Sequence, residues 1–139
     1  MDQYEKLRIL KLNYFIEFII GFILIDILEL LFIFFKFDIF LIYLILIISL
    51  VIFVIMGGIL IFIIFVLKLD KEINKDFNEK FRFIGIPGII IIGLASFNVF
   101  IFQLNDLALY FVIFFHIPIE IIYLIFLGIK LVKYEYNDM

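Results

Sequence analysis

The chain has 139 residues, 68% of them apolar or aromatic and 21 of them Phe, against roughly 45–50% apolar in an ordinary soluble domain. That composition excludes a conventional soluble globule, and the absence of Cys excludes disulfides, thiolate metal sites and thiol chemistry. The net charge of −3 decides little, because in a membrane protein the placement of the cations matters more than their sum.

In chain order, long apolar runs cover about 12–35, 39–67, 86–104 and 107–129. Each is near or above the roughly 20 residues that cross a hydrocarbon core of about 30 Å as a helix. A bilayer offers the backbone no water, so a spanning segment is a helix or a strand of a closed barrel. These runs lack alternation at every second residue and are about twice the length of a barrel strand. The expected fold is therefore an all-α integral membrane protein, a single four-helix domain over 1–139 with little chain left for anything soluble.

The first run does not read as a cleavable signal, since it carries Glu17, Asp26 and Glu29 and exceeds the length of a signal core. Ahead of it stand Lys6, Arg8 and Lys11; between the second and third runs stand Lys68, Lys71, Lys75, Lys80 and Arg82; after the fourth stand Lys130 and Lys133. Only Lys36 lies on the other side. This asymmetry places both termini and the central connector in the cytoplasm or its organellar equivalent, with two hairpins in the same orientation and short outer loops around 36–38 and 103–106. The connector, 68–85, repeats apolar residues at Leu69, Ile73, Phe77 and Phe81 with charges between them. It is expected to be a short amphipathic helix, either extending the second span or lying at the interface, and solvated on its charged face.

Polar groups inside the spans carry most of the information, because an ionised Asp at a helix centre costs about 2.5–3.5 kcal/mol to insert. Asp26 and Glu29 are three residues apart and share a face of the first span. His116 and Glu120 are four apart, Tyr123 follows at three, and all fall on one stripe of the fourth span. Counting the helical rise from each midpoint brings Asp26, Glu29, Asn98 and His116 to a similar depth in the outer half, with Glu120 near the middle. The expectation is one polar cluster. The second span offers only Tyr43 and Ser49 and reads as a scaffold or lipid-facing member.

Pro118 lies between His116 and Glu120, where its ring and missing N–H are expected to disturb the helix and free the Phe114 carbonyl. Glu17 is about 180° around the first span from Asp26 and groups with Asn13 and Gly21. It is expected to reach the headgroup boundary or pair with Lys11 or Arg8, the alternative being contact with a second subunit. Gly85, Gly88, Gly93, Ala95 and Ser96 in the third span read as sites of close packing, and Gly57 and Gly58 in the second as a packing or flexibility point.

These groups support proton or small-cation conduction or transport, with Asp26, Glu29, His116 and Glu120 as exchange sites and Asn98, Tyr123 and Pro118 supporting them. Four helices are few for a pathway, so a homo-oligomer or a complex with other membrane subunits is implied. The alternative is an accessory or assembly subunit, or a membrane-acting toxin or immunity protein, whose polar residues fix helix pairing. A metal, if one is bound, would draw on Asp26, Glu29, His116 and Glu120. The His-x-x-x-Glu spacing departs from the Glu-x-x-His of metal-binding bundles, and oxygen-rich ligation favours Mn, Mg or Ca over Cu, with Zn possible. No enzyme activity is expected, because no nucleophile–histidine–acid set, phosphate loop or haem pair is present. No cofactor and no nucleic-acid partner are expected either, and the chain is assigned to a prokaryotic cell membrane or an organellar inner membrane.

Overall fold

A computed structural model of the chain describes residues 1–36, 39–102 and 105–136. The side chain of Ser49, together with Asp38, Gln103 and Leu104, falls outside the described residues. The described secondary structure is all helical, with no strand among the described residues. It comprises α1 (Gln3–Phe35), α2 (Ile39–Leu67), α3 (Lys71–Phe102), α4 (Asp106–Phe111), a π-helical segment (Val112–His116) and α5 (Ile117–Lys133). With α4, the π segment and α5 counted as one rod, four helices are long and apolar enough to cross a membrane.

Local chemistry sets the ends. Asp2 opens α1 by accepting the Glu5 backbone N–H at 2.7 Å, and Asn105 opens α4 by accepting that of Leu107 at 2.9 Å. The turns after α1 and α2 pass through left-handed lysines, Lys36 (φ 46°) and Lys68 (φ 47°), in a conformation more often left to glycine.

The helices are longer at the charged end than the apolar runs predict. α1 begins at Gln3 rather than near 12, and the stretch 68–85 neither extends α2 nor lies apart at the interface. After a short turn it is already α3. The reason is packing: Leu69, Ile73, Phe77 and Phe81 are all buried, in one core with Leu7, Leu10 and Tyr14 of α1. The charges remain outside and pair along the helix, Lys80 with Asp76 at 3.0 Å and Lys75 with Glu79 at 3.9 Å. Tyr134, just past α5, closes this end by stacking edge-on to Phe77 and Phe81 and donating its hydroxyl to Asp76 at 2.7 Å.

Above this collar, α1 presents a seam at steps of three and four: Tyr14, Phe18, Phe22, Ile25, Glu29 and Ile33. Tyr14 donates to the Phe81 carbonyl at 3.1 Å and Tyr123 to that of Ile84 at 2.9 Å, flanking Phe83, which Pro87 leaves without its helical donor. At Gly88 α3 approaches its neighbours closely, because a Cβ there would strike the rings of Phe18 and Tyr123. Gly85 is similarly tight against the Tyr14 hydroxyl, and Gly21 against the Met56 sulfur. Gly57, Gly58 and Gly93 meet nothing within 4 Å, so close packing within this chain does not account for them. α2 packs on α1 and α3, and none of its Leu50–Leu67 window is buried, which suits a peripheral helix.

Candidate functional site: a buried carboxylate–imidazole cluster

Five groups from α1, α3 and the α4–α5 rod meet in the half of the bundle farther from the chain termini. Below them lie Ile25, Ile91, Ile92 and Ala95 of the main core; above them Ile33, Ala108 and Val112 form a smaller apolar layer. Glu29, Asn98 and His116 are fully buried and Glu120 is 3% exposed. Asp26 stands at the rim, its side chain 19% exposed.

The π segment explains how the fourth rod brings its groups here. Ala108, Val112, His116 and Glu120 follow each other at steps of four, and each is buried. In a straight α-helix each step of four drifts about 40° around the axis, so four such residues would leave a common face. The wider turn at Val112–His116, closed by the Ile117 N–H on the Val112 carbonyl, takes up part of that drift and makes room for the Pro118 ring. Pro118 therefore acts through a widened turn immediately before it, a device often found at functional sites.

His116 Nε2 lies 2.8 Å from the Ile91 carbonyl oxygen, which can only accept, so Nε2 carries a hydrogen. Its Nδ1 lies 2.6 Å from Glu29 Oε2. The other Glu29 oxygen accepts from the Asn98 amide, and the same amide nitrogen donates to the Ala108 carbonyl at 3.1 Å. Two lone pairs cannot face each other at such a distance. The Glu29–His116 contact therefore needs a hydrogen on one of its two atoms, or an ion that both of them bind.

The remaining carboxylates deepen the same problem. Asp26 Oδ1 is 3.7 Å from His116 Nδ1, Glu120 Oε1 is 3.3 Å from Nε2, and the Asp26 and Glu120 carboxyls touch each other. Asp26 Oδ1 and Glu120 Oε1 are buried without a hydrogen-bond partner. Among the described residues no Lys or Arg pairs with any of the three acids. Three carboxyls around one imidazole, with no Lys or Arg paired to them among the described residues, make a site that can hold and exchange protons or take up a small cation. Asp26, Glu29 and His116 each offer a ligand atom, all within 4.8 Å of one another.

Of the residues singled out from the sequence, Asp26, Glu29, Asn98, His116 and Glu120 thus come together. Tyr123 does not join them: its hydroxyl is spent on Ile84, and its ring packs on Phe18 and Phe22 about a turn further in. Glu17 is separate, on a groove of about 340 Å³ lined also by Phe53, Met56, Phe81 and Arg82. It makes no ion pair with Lys11 or Arg8 among the described residues; the Lys11 ammonium goes instead to the Tyr134 carbonyl at 2.9 Å. The Ile91 and Ala108 carbonyls were not legible, being backbone atoms that every residue carries. The one hint was Ala108, whose small side chain lets the Asn98 amide reach the main chain.

Fold and site together define a bundle of four membrane-length apolar helices built around a buried carboxylate–imidazole cluster. No family model, curated protein or solved structure matches the chain.

Proposed function

We propose that this is a multi-pass membrane protein that conducts or transports protons or small cations through the Asp26–Glu29–His116–Glu120 cluster, as an oligomer or as a subunit of a larger complex. The observation that carries the reading is the contact of Glu29 Oε2 with His116 Nδ1 while Nε2 faces the Ile91 carbonyl, a buried acid–imidazole pair that needs a hydrogen or an ion shared across it. Unpartnered oxygens on Asp26 and Glu120 extend it toward the rim. Ten cations fall before α1, between α2 and α3 or after α5, against Lys36 alone on the other side. This supports cytoplasmic termini and two hairpins in the same orientation. Successive contacts of α1 with α3, Tyr14 with Phe81 and Glu29 with Asn98, rise together in number and agree with that arrangement. The membrane would be a prokaryotic cell membrane or an organellar inner membrane.

The test is flux. In liposomes, wild-type protein is expected to pass protons or a small cation down a gradient, and Asp26→Asn combined with Glu120→Gln to abolish that flux while the protein stays folded. Absence of flux through wild type, in a preparation of the native oligomer, removes the transport reading.

One observation favours a second reading. The chain of contacts from the Ala108 carbonyl through Asn98, Glu29 and His116 to the Ile91 carbonyl ties α3 to α1 and to the fourth rod. An accessory subunit would use such a tie to fix helix pairing, at about 0.6–2 kcal/mol per interhelical bond, with no ion moved.

A further inference from the structure

We propose that the cluster is a binding site for one first-row divalent transition-metal ion, with Asp26, Glu29 and His116 Nδ1 as its ligands. This deepens the cation reading by naming the class of ion, and rests on it only in taking the cluster as the place where a cation is held.

The spacing fits first. An ion with bonds of about 2.1 Å in tetrahedral geometry sets its ligand atoms about 3.4 Å apart. The His116 Nδ1 separations, 2.6 Å to Glu29 and 3.7 Å to Asp26, bracket that value. Small rotations of two carboxylates would place all three donors around a common centre.

The surroundings fit as well. A metal-bound imidazole characteristically donates its other ring N–H to a carbonyl or carboxylate, which fixes the tautomer and aims the free lone pair at the ion. Here Nε2 faces the Ile91 carbonyl at 2.8 Å, with Glu120 at 3.3 Å. The ligating carboxylate is held in the same fashion, because Asn98 donates to Glu29 Oε1 and leaves Oε2 for the centre. A second pointer to a ligand is the ligand atom Asp26 Oδ1, buried without a hydrogen-bond partner and facing Nδ1; Glu120, 3% exposed, stands beside it with Oε1 3.3 Å from Nε2. It abuts Asp26 and would hold that carboxylate's orientation or supply a further oxygen.

Charge and donor type select the ion. With Glu120 in its neutral acid form, two ligand carboxylates and a neutral imidazole are balanced by a charge of +2, which a monovalent ion does not supply. A nitrogen donor disfavours Mg²⁺ and Ca²⁺, whereas Zn²⁺, Mn²⁺, Fe²⁺ and Co²⁺ accept mixed nitrogen and oxygen sets. The partial exposure of Asp26 makes it the point of entry.

The full chain, purified in lipid nanodiscs and stripped with a chelator, is dialysed against Zn²⁺, Mn²⁺, Co²⁺ and Mg²⁺ separately. One transition-metal ion per chain is expected, with Mg²⁺ bound at least tenfold more weakly. His116→Gln and Glu29→Gln are expected to weaken binding at least tenfold, and Glu17→Gln to leave it unchanged. Should a variant fail to fold, wild type alone decides: bound Mn²⁺ is expected to show electron-spin-echo coupling to an imidazole nitrogen. Wild type that binds no ion, or binds without nitrogen coupling, overturns the proposal, as do folded His116→Gln and Glu29→Gln with wild-type affinity. Proton flux in liposomes without metal binding sinks the metal site and spares the transport reading; metal binding without any flux does the reverse.

Discussion

At Glu29 the two carboxylate oxygens serve different neighbours, one accepting from Asn98 and the other facing His116. A glutamine can serve both: its carbonyl accepts from Asn98 and its amide donates to Nδ1 of a neutral imidazole. Glu29→Gln is therefore expected to keep the fold while removing a charge. Glu29→Ala leaves one N–H of the buried Asn98 amide and the buried His116 Nδ1 without partners and is expected to cost about 1–3 kcal/mol. Reversible unfolding in mixed micelles measures both. Equal loss in the two variants would mean that the charge, not the hydrogen bonding, stabilises the bundle. A Glu29→Gln protein that is folded but inactive would separate the ion-handling role from the packing role. Much of this was legible in the sequence, because the i, i+3 and i, i+4 spacings bring acids and histidine onto faces and the helical rise gives their depth. What escaped is where each polar group ends: Tyr123 shares the stripe of His116 and Glu120, yet its long ring reaches a backbone carbonyl a turn away.

At the scale of the element, α3 shows why apolar length underestimates a membrane helix. The charge-rich stretch from Lys71 marks where the apolar run ends, not where the helix ends, since Ile73, Phe77 and Phe81 still have α1 to pack on. Hydropathy reports the solvent around a helix; its hydrogen-bond ladder is indifferent to that solvent. The same helix separates two kinds of glycine that composition cannot tell apart. Gly88→Ala forces a methyl into Phe18 and Tyr123 and is expected to destabilise the bundle by about 1–3 kcal/mol. Gly93→Ala meets nothing within 4 Å and is expected to be neutral, or to stabilise by up to about 1 kcal/mol through helix propensity. Thermal unfolding of the two variants in one detergent tests the contrast. A destabilised Gly93→Ala that also loses self-association would show that its open face is covered by a second chain.

For the whole molecule, the arrangement of charge makes an assignment of sidedness that can be checked directly. The outward surface is apolar along most of its height, with Phe34, Phe62, Phe65, Phe100 and Phe114 all more than 60% exposed, as a bilayer allows and water does not. Lys6, Arg8, Lys71, Lys75 and Lys133 gather where the N-terminal turns of α1 and α3 meet the end of α5, which is the edge the cation bias assigns to the cytoplasm. The chain has no Cys, so single cysteines introduced on this background report position without interference. Lys75→Cys and Glu135→Cys, both at exposed positions, are expected to react with a membrane-impermeant maleimide only after the cells are permeabilised. Lys36→Cys, exposed beyond the other end of α1, is expected to react in intact cells. The opposite pattern would invert the topology and put the cluster in the half of the membrane nearer the cytoplasm. Labelling of Lys75→Cys and Lys36→Cys from the same side would be more damaging, because α2 would then not cross, and the hairpin arrangement that seats α1 beside α3 would need another explanation.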